Sequence, residues 1–149
     1  MQSPMIGLYS ELRGEKKALY LMDNSRLGKF TSKLAKAVQE AIKQDCQEVL
    51  AELYIWGSHI SVLTLSDRKR YALQAVEILR QQSNPILFAN SLENLAALNK
   101  AIFNDPTIGN IDLVKMAITI RSTEDDYENL LDMAWAQKLL AELIEEEER

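Results

Sequence analysis

Apolar residues recur at intervals of three, four and seven along most of the chain, the spacing of one face of an α-helix. The longest stripe runs through Phe30, Leu34, Val38, Ala41, Ile42, Val49, Leu50, Leu53 and Trp56. It predicts one helix from Gly28 to Gly57, with Lys29, Lys33, Lys36, Gln39, Glu40, Lys43, Gln47 and Glu48 largely outward. Gly57 would be its glycine stop. Ser66 and Asp67 suit the cap of a further helix reaching about Arg80, with Tyr71, Ala72, Ala75, Val76 and Leu79 inward. Asn84 before Pro85 pairs a capping side chain with a proline in the first turn, and Phe88, Leu92, Leu95, Ile102 and Phe103 carry that helix to Asn104.

The segment Asp105 to Asn110 has the composition of a loop, and a shorter helix from about Ile111 to Ile120 follows. In the last helix, Thr123 and Asp126 stand close to a capping-box arrangement, and the acidic residues 124–126 favour the positive end of the helix dipole. Its stripe is Tyr127, Leu130, Leu131, Ala134, Trp135, Leu139, Leu143 and Ile144. Glu145 to Glu148 oppose the same dipole, so fraying is expected over 145–149.

Two segments admit two readings. Met5 to Met22 reads as a helix capped by Ser3, with Pro4 in its first turn, although Gly7 and Gly14 weaken it. Otherwise residues 18–22 and the β-branched run 59–65 form two short strands. The expected class is all-α, a compact bundle of about five to six helices. The alternatives are a mostly helical protein with a small two-stranded element, or a short helical-hairpin repeat over 67–143, where no fixed-period pattern recurs. With no Gly/Ser-rich or Pro-rich linker, a single helical domain over 1–149 is expected.

Composition narrows the function classes. A chain of 149 residues, 47% hydrophobic and 26% charged, can bury a real core without metal or disulfide staples, which argues against disorder. With 5 Gly and 3 Pro it has too few turn formers for an all-β domain. A net charge of −5 argues against a protein basic all over that coats nucleic acid or an anionic membrane. The single Cys46 closes no internal disulfide and builds no Cys-based zinc site, in keeping with a reducing compartment. Residues 1–7 lack the basic and long apolar regions of a secretory signal, and no stretch approaches the ~20 apolar residues of a membrane span. A cytoplasmic location without a membrane partner is expected.

Charge is uneven. Residues 1–75 carry 11 basic and 8 acidic side chains, residues 76–149 carry 6 and 14. Such asymmetry suggests either contact between the two ends or two faces with different partners.

The inventory for catalysis is thin. His59, the only histidine, reads as a half-exposed loop residue rather than a base, and Cys46 as a small thiol beside an apolar stripe. Glu48 and Glu52, spaced i, i+4, with Glu124 and Glu128, are the candidates for a metal-dependent hydrolase, although capping and a polar helix face account for their placement. No Gly-rich phosphate loop or nucleophile elbow is present. No catalytic residue, metal ligand or cofactor is assigned, and a non-enzymatic protein is expected.

Two binding readings remain. In one, Arg68, Lys69 and Arg70, aided by the basic face of the first long helix, meet nucleic-acid phosphates. The connection before them is longer than a helix-turn-helix turn, and the basic stretch lacks interleaved aromatics for base stacking. In the other, favoured reading, the protein is an adaptor or regulator that docks another protein. Lys29, Lys33 and Lys36 supply a basic face, and Tyr54 and Trp56 supply an apolar end. Any apolar patch left exposed would then serve a partner or a homodimer.

Overall fold

The structure is a computed structural model that describes residues 4–17, 19, 24–82, 84–101, 110–122 and 127–147. Among them are seven helices and no strand: α1 (Pro4–Glu15), α2 (Asn24–Lys43), α3 (Gln47–Ser58), α4 (Leu65–Leu79), α5 (Pro85–Ala101), α6 (Asn110–Arg121) and α7 (Tyr127–Glu147). The all-α class stands, with more helices than the five to six expected. Residues 59–64 are turns and Leu65 opens α4, so the strand at 59–65 is absent. The companion strand at 18–22 lies, apart from Leu19, outside the described residues, as do the loop at 105–109 and the cap at 123–126. No described helix is long and apolar enough to cross a membrane.

The helix expected from Gly28 to Gly57 is two helices. Asp45 takes a left-handed backbone conformation, φ 51°, and the chain closes around it. The Cys46 amide donates to the Ala41 carbonyl at 3.0 Å and the Asp45 amide to the Ile42 carbonyl at 3.1 Å. This six-to-one and five-to-two pair is the Schellman ending, here with Asp where Gly is usual. A short polar side chain tolerates the left-handed region better than a branched one, and the Asp45 carboxylate accepts from Gln47 Nε2 at 2.9 Å. The trace in the sequence was the seven-residue gap in the stripe from Ile42 to Val49.

By internal packing the chain divides into two compact units, Met1–Ile78 and Leu79–Arg149. The division coincides closely with the charge asymmetry. The first unit has 11 basic and 9 acidic residues, the second 6 and 13.

In the first unit α1 packs on α2 and α2 on α3. Leu27, Phe30, Leu34, Ala37 and Ala41 form the buried stripe of α2. Over its last two turns α3 is buried on nearly every side, from Leu53 to Ser58. Trp56 is the centre: its ring stacks on Tyr9 at 5.5 Å and meets Phe30 edge-on at 6.5 Å. Aromatic pairs of this kind add about 0.5–1.5 kcal/mol each beyond the area they bury. Gly57 does not stop the helix but lies within it. A Cβ there would sit 2.7 Å from the Tyr71 ring, so glycine lets α4 close onto α3. The expected Ser66 cap is displaced by two residues: Thr64 Oγ1 accepts the Asp67 amide at 3.1 Å.

In the second unit α5 packs on α6 and α7, and α6 on α7. Asn84 caps α5 as expected, its Oδ1 accepting the Leu87 amide at 3.2 Å. Ala96, Val114, Ala136, Leu139 and Leu143 make the core. Trp135, placed inward by the sequence reading, is 47% exposed, because the buried line of α7 runs through Ala136, Leu139 and Leu143 instead. Arg121, with no exposed side-chain surface, donates to both oxygens of buried Glu93 at 2.6 and 2.9 Å and also to Asn90 Oδ1. Burial pushes the Glu93 carboxyl above its ordinary range, with the hydrogen bonds and charge of Arg121 pulling against it.

Candidate functional site

On the first unit, apolar side chains remain in solvent around two neighbouring clefts. The larger, about 440 Å³, is lined by Val38 and Ile42 of α2, Tyr54 of α3, Leu63, and Asp67, Arg70, Tyr71 and Gln74 of α4. The other, about 350 Å³, is lined by Gln47, Leu50 and Tyr54 of α3 with Leu73, Gln74, Glu77 and Ile78 of α4. They share Tyr54 and Gln74. Of the lining side chains Ile42 is 56% exposed and Leu73 44%, high values for aliphatic groups beside a cleft. Local sequence explains the geometry: Gly57 lets the Tyr71 ring reach α3, and Tyr71 then lies 5.9 Å from the Tyr54 ring. Burial raises the Tyr54 phenol above its ordinary value, with Tyr71 adding to the effect. At the rim Arg70 donates to Asp67 at 3.0 Å; the larger cleft is of mixed character, with Gln74 beside its aliphatic and phenolic groups, and the smaller is mainly apolar with Gln47, Gln74 and Glu77 on its wall. Such a surface suits a segment that brings aliphatic anchors.

Tyr54 and Trp56 do not form an exposed apolar end. Both are buried: Tyr54 lines both clefts, whereas Trp56 lines neither and packs on Tyr9 and Phe30. Lys29 and Lys36 are exposed on α2. Lys33 is half-buried and held by α1, its ammonium 2.7 Å from Glu15 and 3.4 Å from Glu11, contacts that raise its pKa. At 100° per residue, the basic positions 26, 29 and 33 fall on one flank of the buried stripe of α2, and Val38 and Ile42 on the other. The basic and apolar features expected to act as one site are therefore two separate surfaces.

The nucleic-acid candidates are engaged locally. Arg68 Nε donates to the Ser58 carbonyl at 2.9 Å and burial lowers its pKa; Arg70 is paired with Asp67; Lys69 is half-buried. His59 is half-buried, and desolvation, then the charge of Arg68, hold its imidazole below the ordinary pKa of 6.5. Of the hydrolase candidates, Glu52 accepts the Tyr9 hydroxyl at 2.5 Å; burial, then this bond, push the phenol up to about 12. Glu48 is exposed and Glu124 lies outside the described residues. Among the described residues no three His, Cys, Asp or Glu side chains gather in a metal-binding arrangement.

Exposed Leu73 and Ile42 were not among the expected site residues. Leu73 was legible, since the α4 stripe of Tyr71, Ala72, Ala75, Val76 and Leu79 leaves it facing out. Ile42 was not, because the unrecognised break at Asp45 kept it inside a continuous stripe. No family model, no curated protein and no solved structure matches the chain.

Proposed function

We propose that the protein is a non-enzymatic interaction module, an adaptor or regulator acting in the cytoplasm, whose first unit docks an apolar segment of another protein. The observation that carries this reading is the pair of clefts around Tyr54 and Gln74, lined in part by exposed Ile42 and Leu73. Exposed aliphatic groups around a preformed, aromatic-floored groove match the helix-in-groove mode of recognition, in which anchors at i, i+3, i+4 and i+7 enter the groove. Polar pairs at the rim, such as Asp67 with Arg70, give register rather than affinity.

The test compares the wild-type protein with an Ile42→Lys/Leu73→Lys variant in affinity capture from native extract treated with nuclease. One stoichiometric protein retained by the wild type and lost by the variant, with far-UV circular dichroism unchanged, supports the reading. Identical capture by both proteins removes it. Light scattering of the purified protein reads a second copy as the partner, which the same variant would then return to monomer.

A further inference from the structure

α1 is held to its unit by a different balance of forces from the one that joins α2 to α3. Two of its side chains are buried, Met5 and Leu12, against five on the stripe of α2. Half-buried Tyr9 stacks on the Trp56 ring at 5.5 Å and donates to Glu52 at 2.5 Å. Lys33 of α2 clasps Glu15 at 2.7 Å and Glu11 at 3.4 Å, with all three side chains partly open to solvent. Ion pairs in reach of water contribute little, because solvent screens them. Gly7 and Gly14 weaken the helix further, and the packing does not ask for them: a Cβ at either position would meet nothing within 4 Å. Such a glycine lowers helix stability relative to alanine and gains no contact in return, whereas Gly57 is required by the Tyr71 ring. A helix of 12 residues is marginal alone in water, so α1 stays helical only while it is seated.

From this balance we infer that α1 is a releasable strap, which leaves as one unit while α2 and α3 stay packed and so uncovers the ring of Trp56. The α2–α3 pair has its own fastenings. The Schellman turn at Asp45, the edge-on contact of Phe30 with Trp56 and the closure of α4 onto Gly57 involve no residue of α1. A segment with few buried apolar side chains and solvent-open polar ties opens at a lower free energy than the core it covers. Access to the Trp56 ring is therefore conditional on the Lys33 clasp and on the low helix propensity set by the two glycines.

The experiment is residue-resolved amide hydrogen exchange, followed by NMR on the full chain. Amides from Leu8 to Glu15 should exchange at one shared rate, roughly tenfold or more above that of the slowest amides of α2 and α3. Gly7→Ala/Gly14→Ala should slow the shared rate roughly tenfold through the gain in helix propensity, and Lys33→Gln should raise it about two- to fivefold, with the amides of α3 unchanged in both variants. Rates that fall step by step from Leu8 to Glu15 would mean fraying from one end and overturn the strap. Exchange of α1 in common with α3 overturns it too, as does a shared rate that either variant leaves unchanged or that moves together with the rate of α3.

Discussion

The two units solve the same packing problem with different chemistry. The first closes on aromatic rings, Tyr9 on Trp56 on Phe30 and Tyr54 on Tyr71, with backbone room made by Gly57. The second closes on alanines and aliphatics around buried Arg121, which pairs with buried Glu93, reaches the half-exposed Asp132 at 3.5 Å and donates to Asn90. Aromatic closure is shape-selective but forgiving of charge, so it can border a groove open to solvent. A buried ion pair is the reverse: it tolerates no loss of a partner, because the remaining charge has no water. Both units leave large apolar side chains in solvent, Ile42, Val62 and Leu73 in the first and Met116, Trp135 and Ile144 in the second.

This contrast sets the order of expected effects. Arg121→Met leaves Glu93 buried and unmatched, and should cost about 3–5 kcal/mol in urea unfolding. Adding Glu93→Leu should recover most of that loss; a double variant as unstable as the single one would show that the charge pair is not the cause. The corresponding blow to the first unit is Gly57→Ala. Its methyl would meet the Tyr71 ring, and about 1–3 kcal/mol is expected, read by the emission of Trp56 in a Trp135→Phe background.

Smaller effects probe the break between α2 and α3. Asp45→Val should cost about 1–2 kcal/mol, the penalty of a branched side chain in a left-handed conformation, while Asp45→Gly should be tolerated. Equal stability of both variants would mean that the turn does not depend on φ at that residue.

The smallest effect is a pH slope. Burial and Arg68 hold the folded His59 imidazole below its unfolded value of 6.5, so the unfolded chain binds the proton more readily. Stability is then fully present above pH 6.5 and falls as the pH drops from there through the folded pKa. Denaturation midpoints at descending pH should show this decline, and His59→Gln should flatten it.

Much of the fold was legible because helical periodicity and caps are local. Asn84 with Pro85 placed the start of α5. What was hidden depended on tertiary contact. Gly57 reads as a helix stop in sequence, yet its role is the close approach of Tyr71 from the next helix, outside any local window. Arg121 reads as the basic end of an apolar helix, and nothing local says that its guanidinium is sealed against Glu93, which precedes it by 28 residues. Trp135 shows the limit of a stripe: a one-residue change of register turned the largest side chain of α7 outward and Ala136 inward. Of the residues singled out in the sequence, Tyr54 lines the two clefts, Trp56 is buried against Tyr9 and Phe30, and Lys29 and Lys33 of α2 lie on the other flank of that helix, because which side of a helix faces a cleft is set by tertiary packing.

The docking surface is tested most directly by a photo-crosslinking residue placed in turn at Leu73, at Ile42 and, as a control on the second unit, at exposed Thr119, with irradiation in native extract. One adduct of a single defined mass, common to positions 73 and 42 and absent at 119, is the predicted result. Adducts at neither groove position, or the same adducts at all three, would contradict the assignment of this face as the docking site.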